Sequence, residues 1–349
     1  MPFTIAFYVH HHGSGHWMRT IQIVKALPDH KIILFGSALQ TVDLASLPNV
    51  TLIHLPLDFD DASLDEGPND TLPGTFHYAP LNVPGIRNRM AIMSNVFKKE
   101  SSMILVVDVS VEITLFARLC GIPTIVMAQH GKRNDLPHLM AFQSAGLILA
   151  PFSESLYVGA RDWVYDKTFF TGGFSRFIPD GRHEVKENEI AILIGAGGTS
   201  INASLIKHIA QQSPTLIFHV IGEEIKDDEN ANIFWHGRVD HPQALLESVS
   251  IIIGNTGHNT VMEVATLNKR FIGIPESRPF AEQEQKAEAV AGRRGIYIVS
   301  RDDLWRTKWQ DIFDQIIREE PDWSDVILPN AIDNMAKAIV NTGNKFFKS

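Results

Sequence analysis

Two glycine-containing turns, each leading into a run of short polar residues, hold most of the side chains that could do chemistry. The first is His11-His12-Gly13-Ser14-Gly15-His16-Trp17-Met18-Arg19, directly after the apolar run Thr4–His10. Gly13 and Gly15 permit a tight turn and let a ligand approach the backbone. A helix opening here aims free amides and the positive end of its dipole at the turn, which suits a diphosphate. His16, at the helix start, is a group that can take a proton near neutral pH, and its expected role is general base toward an acceptor hydroxyl. Three adjacent histidines also raise the question of a metal. His10, His11 and His12 alternate direction along a strand end, with no partner at helical ligand spacing, so no metal is expected there.

The second turn is Gly254-Asn255-Thr256-Gly257-His258-Asn259-Thr260-Val261-Met262-Glu263. It follows the apolar run Ser250–Ile253 and opens a helix, again presenting amides to an anion. Thr256, Asn259 and Thr260 add polar groups at the binding end. Glu263, one turn in, is placed to accept hydrogen bonds from both hydroxyls of a ribose. Ordinary helix capping by Asn259 or Thr260, with Glu263 as the capping-box partner, would explain one of these residues but not the cluster. Further on, Pro275 ends a strand and Glu282-Gln283 begins another helix facing the same side, where the pair could hold sugar hydroxyls.

Two acidic positions stay open or bland at this level. Asp108 ends the strand Met103–Val109, where it either orients His16 and stabilises its imidazolium or is a solvated strand end. Asp58-Phe59-Asp60 has the Asp-x-Asp form of metal-dependent transferases, but beside Asp61 in an acidic loop it reads as solvated charge.

Taken in order, Gly-Ser-Gly-His…Arg, then Thr-Gly-His-Asn-Thr-Val-Met-Glu, then Pro…Glu-Gln-x-x-Lys-Ala, the chain resembles the inverting GT-B glycosyltransferases. The nearest in style are the MurG-like bacterial transferases of family 28 and family 1 type. The resemblance is strongest from Val239 to Ala287. It implies that Gly13, Ser14 and Gly15 lie by the donor diphosphate and that His16 is the catalytic base. It further implies that Gly195-Ala196-Gly197-Gly198-Thr199 is a phosphate-side loop and that Val239 meets the nucleobase through its backbone. Thr256, Gly257, His258, Asn259 and Thr260 match the phosphate loop, Glu263 the ribose carboxylate, and Glu282-Gln283 the sugar-binding pair. Lys286 stands where the family usually has asparagine, and Met127-Ala128-Gln129-His130 departs from the peptidoglycan enzyme's acceptor pattern. The implied reaction uses a nucleotide-sugar donor as substrate, with UDP as the expected nucleotide, and needs no cofactor and no metal. A nucleotide-sugar 2-epimerase or a non-catalytic nucleotide-sugar-binding protein would use a similar frame.

The elements that must position these residues follow from patterning. Short apolar runs alternate with helical periods from end to end, which predicts βαβ units and parallel sheets. The expected architecture is α/β, with two Rossmann-like doubly wound domains facing across a cleft. The first would span 1–172 and bind the acceptor, a polar turn-rich linker would occupy 173–188, and the second would span 189–349 and bind the donor. Its last helix is expected either to brace that domain or to pack back on the first. The stretch Asp58–Pro84 has no period, and an acceptor loop and a surface excursion both fit it.

The 349 residues are 44% hydrophobic and 20% charged, with net charge −9, so a broad nucleic-acid surface is not expected. No apolar run approaches the ~20 residues of a membrane span. The lone Cys120 excludes an internal disulfide and is expected to be packed and inert. With no export signal legible, the cytoplasm is the expected compartment. Peripheral membrane contact through the apolar residues of Met90–Phe97 is an open alternative to core packing.

Overall fold

A computed structural model describes residues 3–10, 15–39, 46–58, 76–179, 181–195, 197–223 and 230–347. The first sheet has seven strands: β1 (Thr4–Tyr8), β2 (Ile32–Gly36), β3 (Val50–His54), β4 (Met103–Asp108), β5 (Thr124–Met127), β6 (Leu147–Ala150) and β7 (Thr168–Phe170). All pair in parallel, in the order β3-β2-β1-β4-β5-β6-β7. Helices α1 (Gly15–Lys25), α2 (Pro84–Lys99), α3 (Val111–Leu119), α4 (Leu136–Ser144) and α5 (Trp163–Lys167) cover it. The second sheet has six parallel strands: β8 (Lys186–Leu193), β9 (Ile217–Ile221), β10 (Ile233–Trp235), β11 (Val249–Asn255), β12 (Arg270–Ile274) and β13 (Ile296–Ile298). Their order is β10-β9-β8-β11-β12-β13. Helices α6 (Ala203–Gln212), α7 (Gln243–Ser248), α8 (His258–Thr266), α9 (Glu282–Val290) and α10 (Trp309–Ile316) accompany it, and α11 (Ala331–Phe347) ends the fold.

Both sheets are therefore doubly wound, reversing direction between β1 and β4 and between β8 and β11. Crevices open at such switch points, beyond the carboxyl ends of the strands. The central strands explain the apolar runs of the sequence. Met-Ile-Leu-Val-Val-Asp of β4 is buried at every residue, as a parallel strand covered on both faces must be.

The connection between domains is more structured than its polar composition suggests. β8 starts at Lys186, inside the segment expected to be linker, because its first three residues are exposed and carry no apolar signal. Phe174 and Phe177 are buried. Gly173 forms a parallel bridge with Ile327, donating from its amide to Val326 O at 2.9 Å and accepting from Leu328 N at 3.1 Å. The chain thus crosses between domains twice, side by side. After the second crossing α11 returns to the first domain, where Met335, Ala336 and Ile339 join the core of Phe3, Ile5 and Ile104.

Three smaller expectations change. Cys120 is exposed, because it is the C-cap of α3 at the outer end of that helix. Asp58 is ion-paired to the buried Arg89 at 3.0 Å rather than solvated; Phe59, Asp60 and the remainder of the loop to residue 75 lie outside the described residues. Met93 and Phe97 of α2 pack into the first domain's core. No described helix is long and apolar enough to cross a membrane.

Candidate active site

Strand ends and helix starts from both domains meet in one crevice. His16 lies in the first turn of α1, next to Asp108 at the end of β4. His16 Nδ1 is 2.7 Å from Asp108 Oδ2, and Arg19 Nη2 donates to Asp108 Oδ1 at 2.7 Å. The carboxylate and the guanidinium are each 5% exposed, whereas His16 keeps 18% of its side chain open. Burial works against the Asp108 charge, but Arg19 and His16 outweigh it and hold the carboxyl well below the usual range. An ionised Asp108 can only accept, so His16 Nδ1 carries the proton and Nε2 is left as the basic nitrogen. Val109, immediately after Asp108, has φ of 62°, a costly conformation for a β-branched residue. The strain sits where the backbone turns out of the sheet beneath the imidazole.

α8 supplies the opposite wall. Its N-cap is Gly257, and no side chain caps the helix. The first-turn amides are therefore left to the crevice, and neither Asn259 nor Thr260 is the capping residue. Gly15 is where the two helix starts nearly touch. A methyl group built on it would lie 2.8 Å from Asn259 Nδ2, so only glycine fits without moving that amide. His258 is kept neutral by burial and, after that, by the positive charge of Lys286 and Arg19 nearby. Glu263 is bonded to Arg176 Nε at 2.8 Å, and burial raises its pKa despite that cation. Met18, Arg19, Arg176, His258, Asn259 and Glu263 line the narrow crevice between the domains.

The remaining predicted residues divide. Thr256 is fully buried and donates to Gln283 O at 2.8 Å, so its hydroxyl ties α8 to α9 instead of facing a ligand. Gln283 accepts from Glu276 N at 3.0 Å. Gly198 adopts φ of 80°, and its carbonyl accepts from Arg278; Gly197 lies beside the same guanidinium. Thr199 Oγ1 donates to Glu276 Oε1 at 3.2 Å. Val239 is half-buried, its side chain packed against the apolar cluster that includes Phe152, Ile221, Leu246 and Ile252. Glu282 begins α9, with Gly131 of the first domain close by. Gly13 and Ser14 lie outside the described residues.

Four functional candidates went unread in the sequence. Glu276, 5% exposed, accepts from Ser200 N at 2.5 Å, Ser200 Oγ at 2.6 Å and Asn255 Nδ2 at 3.3 Å, fixing the glycine loop to the ends of β11 and β12. A carboxylate straight after the strand-ending Pro275 was its only signal. Arg176 comes from the crossover segment, far in sequence from Glu263. Phe280 and Ala281, ahead of α9, have φ of 62° and 55°, two successive left-handed residues without glycine. That turn drives the Phe280 ring into the first domain, 4.8 Å from His77, 4.7 Å from His138 and 5.1 Å below the Arg133 guanidinium. Lys132 N donates to Phe280 O at 2.6 Å, and Gly131 N to Gln285 Oε1 at 2.8 Å.

Beneath Phe280, His77, Asp135 and His138 group their ligand atoms within 4.8 Å, a spacing that a metal could use. The hydrogen bonds describe a different state. Arg133 Nη1, always a donor, is 2.9 Å from His138 Nε2, which places the proton on Nδ1, facing Asp135 Oδ2 at 2.6 Å. A metal on Nδ1 would displace that proton to the nitrogen facing the guanidinium.

Residues 190–321 match the family described as glycosyltransferase family 28 C-terminal domain. The chain is a glycosyltransferase of the GT-B fold. Among solved structures, MurG of Acinetobacter baumannii shares 15% identity at a TM-score of 0.63, over 97% of this chain and 99% of that one. The glycosyltransferase of kitacinnamycin shares 12% at 0.64, over 98% and 96%. Spinosyn rhamnosyltransferase SpnG complexed with thymidine diphosphate shares 13% at 0.62, over 99% and 96%. No curated protein matches in sequence. The family match runs from β8 through α10, while the first domain is covered by fold likeness alone.

Proposed function

We propose that this GT-B enzyme moves a hexose or N-acetylhexosamine from a UDP-sugar to an acceptor hydroxyl with inversion, His16 being the base. The observation that carries this reading is the His16–Asp108–Arg19 cluster facing the uncapped start of α8 across the crevice. His16 Nε2 takes the acceptor's proton while Asp108 holds Nδ1 and stabilises the imidazolium. The acceptor oxygen bonds to the anomeric carbon as the bond from that carbon to the diphosphate oxygen breaks. One displacement on the opposite face inverts the centre. The departing diphosphate gathers charge where the amides of His258, Asn259 and Thr260 point, with the start of α1 at Gly15 opposite. Gly197, Gly198 and Thr199 border the phosphates, Val239 meets the base through its backbone, Glu263 takes the ribose hydroxyls, and Glu282-Gln283 the sugar. Arg176 must release Glu263 for this, or share it.

The test separates chemistry from binding. His16→Ala should abolish transfer, on the order of 10²–10⁴-fold as for loss of a positioned base, while UDP affinity measured by calorimetry changes little. Equal loss of both would remove the base assignment.

A further inference from the structure

Two polar atoms at the junction of the domains have no partner among the described residues: Lys286 Nζ and His130 Nδ1. Lys286 is 1% exposed and projects from α9 toward the first domain, its ammonium 5.1 Å from the Phe152 ring centroid. His130, 5% exposed, packs its ring on the other contact of the same phenyl group, centroids 4.2 Å apart. His130 Nε2 donates to Leu156 O at 2.8 Å, so Nδ1 presents a lone pair. Burial, with Lys286 next, pushes the His130 pKa well down and keeps that lone pair available.

A buried ammonium without a hydrogen bond is costly, and so is a buried unpaired acceptor. Here they stand together, over one aromatic ring, buried at the junction of the two domains. Their neighbours are mostly cationic or neutral: Arg19 and His258 face Lys286 from α1 and α8, and Glu282 is one turn back on α9. Glu282 is the nearest carboxylate on the same helix, yet no described ion pair joins it to Lys286 within 4.0 Å. A cationic donor beside a neutral acceptor suits a carboxylate adjacent to a hydroxyl. In a hexuronic acid the carboxylate on C5 stands next to the C4 hydroxyl. The diphosphate has its own provision at the starts of α1 and α8, whereas Lys286 follows Glu282 and Gln283 on the sugar side.

We propose that the transferred sugar is a hexuronate, its carboxylate seated on Lys286 Nζ and its neighbouring hydroxyl donating to His130 Nδ1. This rests on the UDP-sugar reading above and narrows its sugar. Lys286 is then the specificity determinant of the donor, and the crevice must part enough to admit the sugar ring before closing on it.

Calorimetric titration of the full chain with UDP, UDP-glucose, UDP-glucuronate and UDP-galacturonate tests it. The wild type should bind at least one uronate on the order of 10- to 100-fold more tightly than UDP-glucose, the worth of one charged hydrogen bond. Lys286→Met should erase that preference and leave UDP affinity unchanged, with Lys286→Arg retaining part of it. Thermal melts of both variants establish that they are folded. Equal affinity of the wild type for UDP-glucose and both uronates overturns the hexuronate assignment while leaving the UDP-sugar reading intact. Loss of UDP binding in Lys286→Met, as large as the loss of uronate binding, places the lysine on the diphosphate and also overturns it. Failure of all four ligands to bind the wild type removes both readings.

Discussion

Asp108 Oδ2 and His16 Nδ1 are 2.7 Å apart although 92 positions separate them in sequence, and the pair is closed off from below by Arg19 on the other carboxylate oxygen. An acceptor-only carboxylate decides the tautomer of the imidazole, and a buried guanidinium keeps the carboxylate ionised. Asp108→Asn preserves shape but lets the amide face His16 with either atom. Transfer should fall on the order of 10²–10⁴-fold, by analogy with other His–Asp pairs. Donor affinity should hold. The variant should also lose about 3 kcal/mol of stability, since Arg19 is left buried without its counter-charge. Denaturant melts and single-turnover rates check the two halves of this prediction separately.

Phe280 offers a backbone test. Its left-handed conformation costs a non-glycine residue roughly 1 kcal/mol, offset here by stacking against His77, His138 and Arg133. Phe280→Ala keeps the backbone cost and removes the ring; Phe280→Gly removes both. The glycine variant should therefore be the more stable of the two by about 1 kcal/mol. Both should show a more open molecule in solution scattering, because the ring that packs the entry to α9 against the first domain is gone. Identical scattering profiles for the wild type and both variants would mean that Phe280 does not hold the domains together.

Gly173 sits where the two interdomain crossings run side by side. A methyl group there would lie 2.5 Å from both Met262 Sδ and Val326 O. The sulfur can yield, but the carbonyl is backbone. Gly173→Ala should destabilise by about 2–3 kcal/mol, in the range of overpacked cores. A melting temperature within a degree of wild type would show that the crossings separate easily.

Acid should weaken the fold through histidines held neutral. Burial, outweighing the hydrogen bond to Asp135, takes the His138 pKa down to about 4. The unfolded chain binds this proton from about pH 6.5, the ordinary imidazole value, and the folded one only near 4. The unfolded state thus holds more protons between those values, so stability rises with pH across the window and is lost as pH falls from about 6.5 to 4. His130 and His258 shift in the same direction. Urea midpoints measured from pH 7 to pH 4 should decline, and His138→Asn should flatten part of the slope. Asp135, held down to about 2, adds a further loss only below about pH 4.

Much of the architecture was legible because parallel strands covered on both faces leave continuous apolar runs, as in β4 and β11. The signal failed where burial did. β7 is three half-buried or exposed residues, and the first three residues of β8 are polar and exposed. At the site, the turns holding His16 and His258 could be found from glycine and polar spacing alone. Arg176 on Glu263, Arg19 on Asp108 and Glu276 under the glycine loop are contacts across 87, 89 and 76 positions, which local pattern does not encode. The Phe280-Ala281 turn defied expectation more deeply, since nothing in those side chains favours a left-handed backbone. Its geometry is imposed by what the ring meets in the other domain.

The final helix, α11, has a consequence for how the molecule is made. Met335 and Ile339 fill the floor beneath β1 and β4, strands built from the opening hundred or so residues. On a ribosome the leading half emerges early but lacks those side chains until residues 331–347 have been made. Its apolar floor must wait for that helix. Any message cut short before codon 331 would release a product with that floor uncovered, and such a fragment should be cleared or aggregate instead of persisting as an independent half-enzyme.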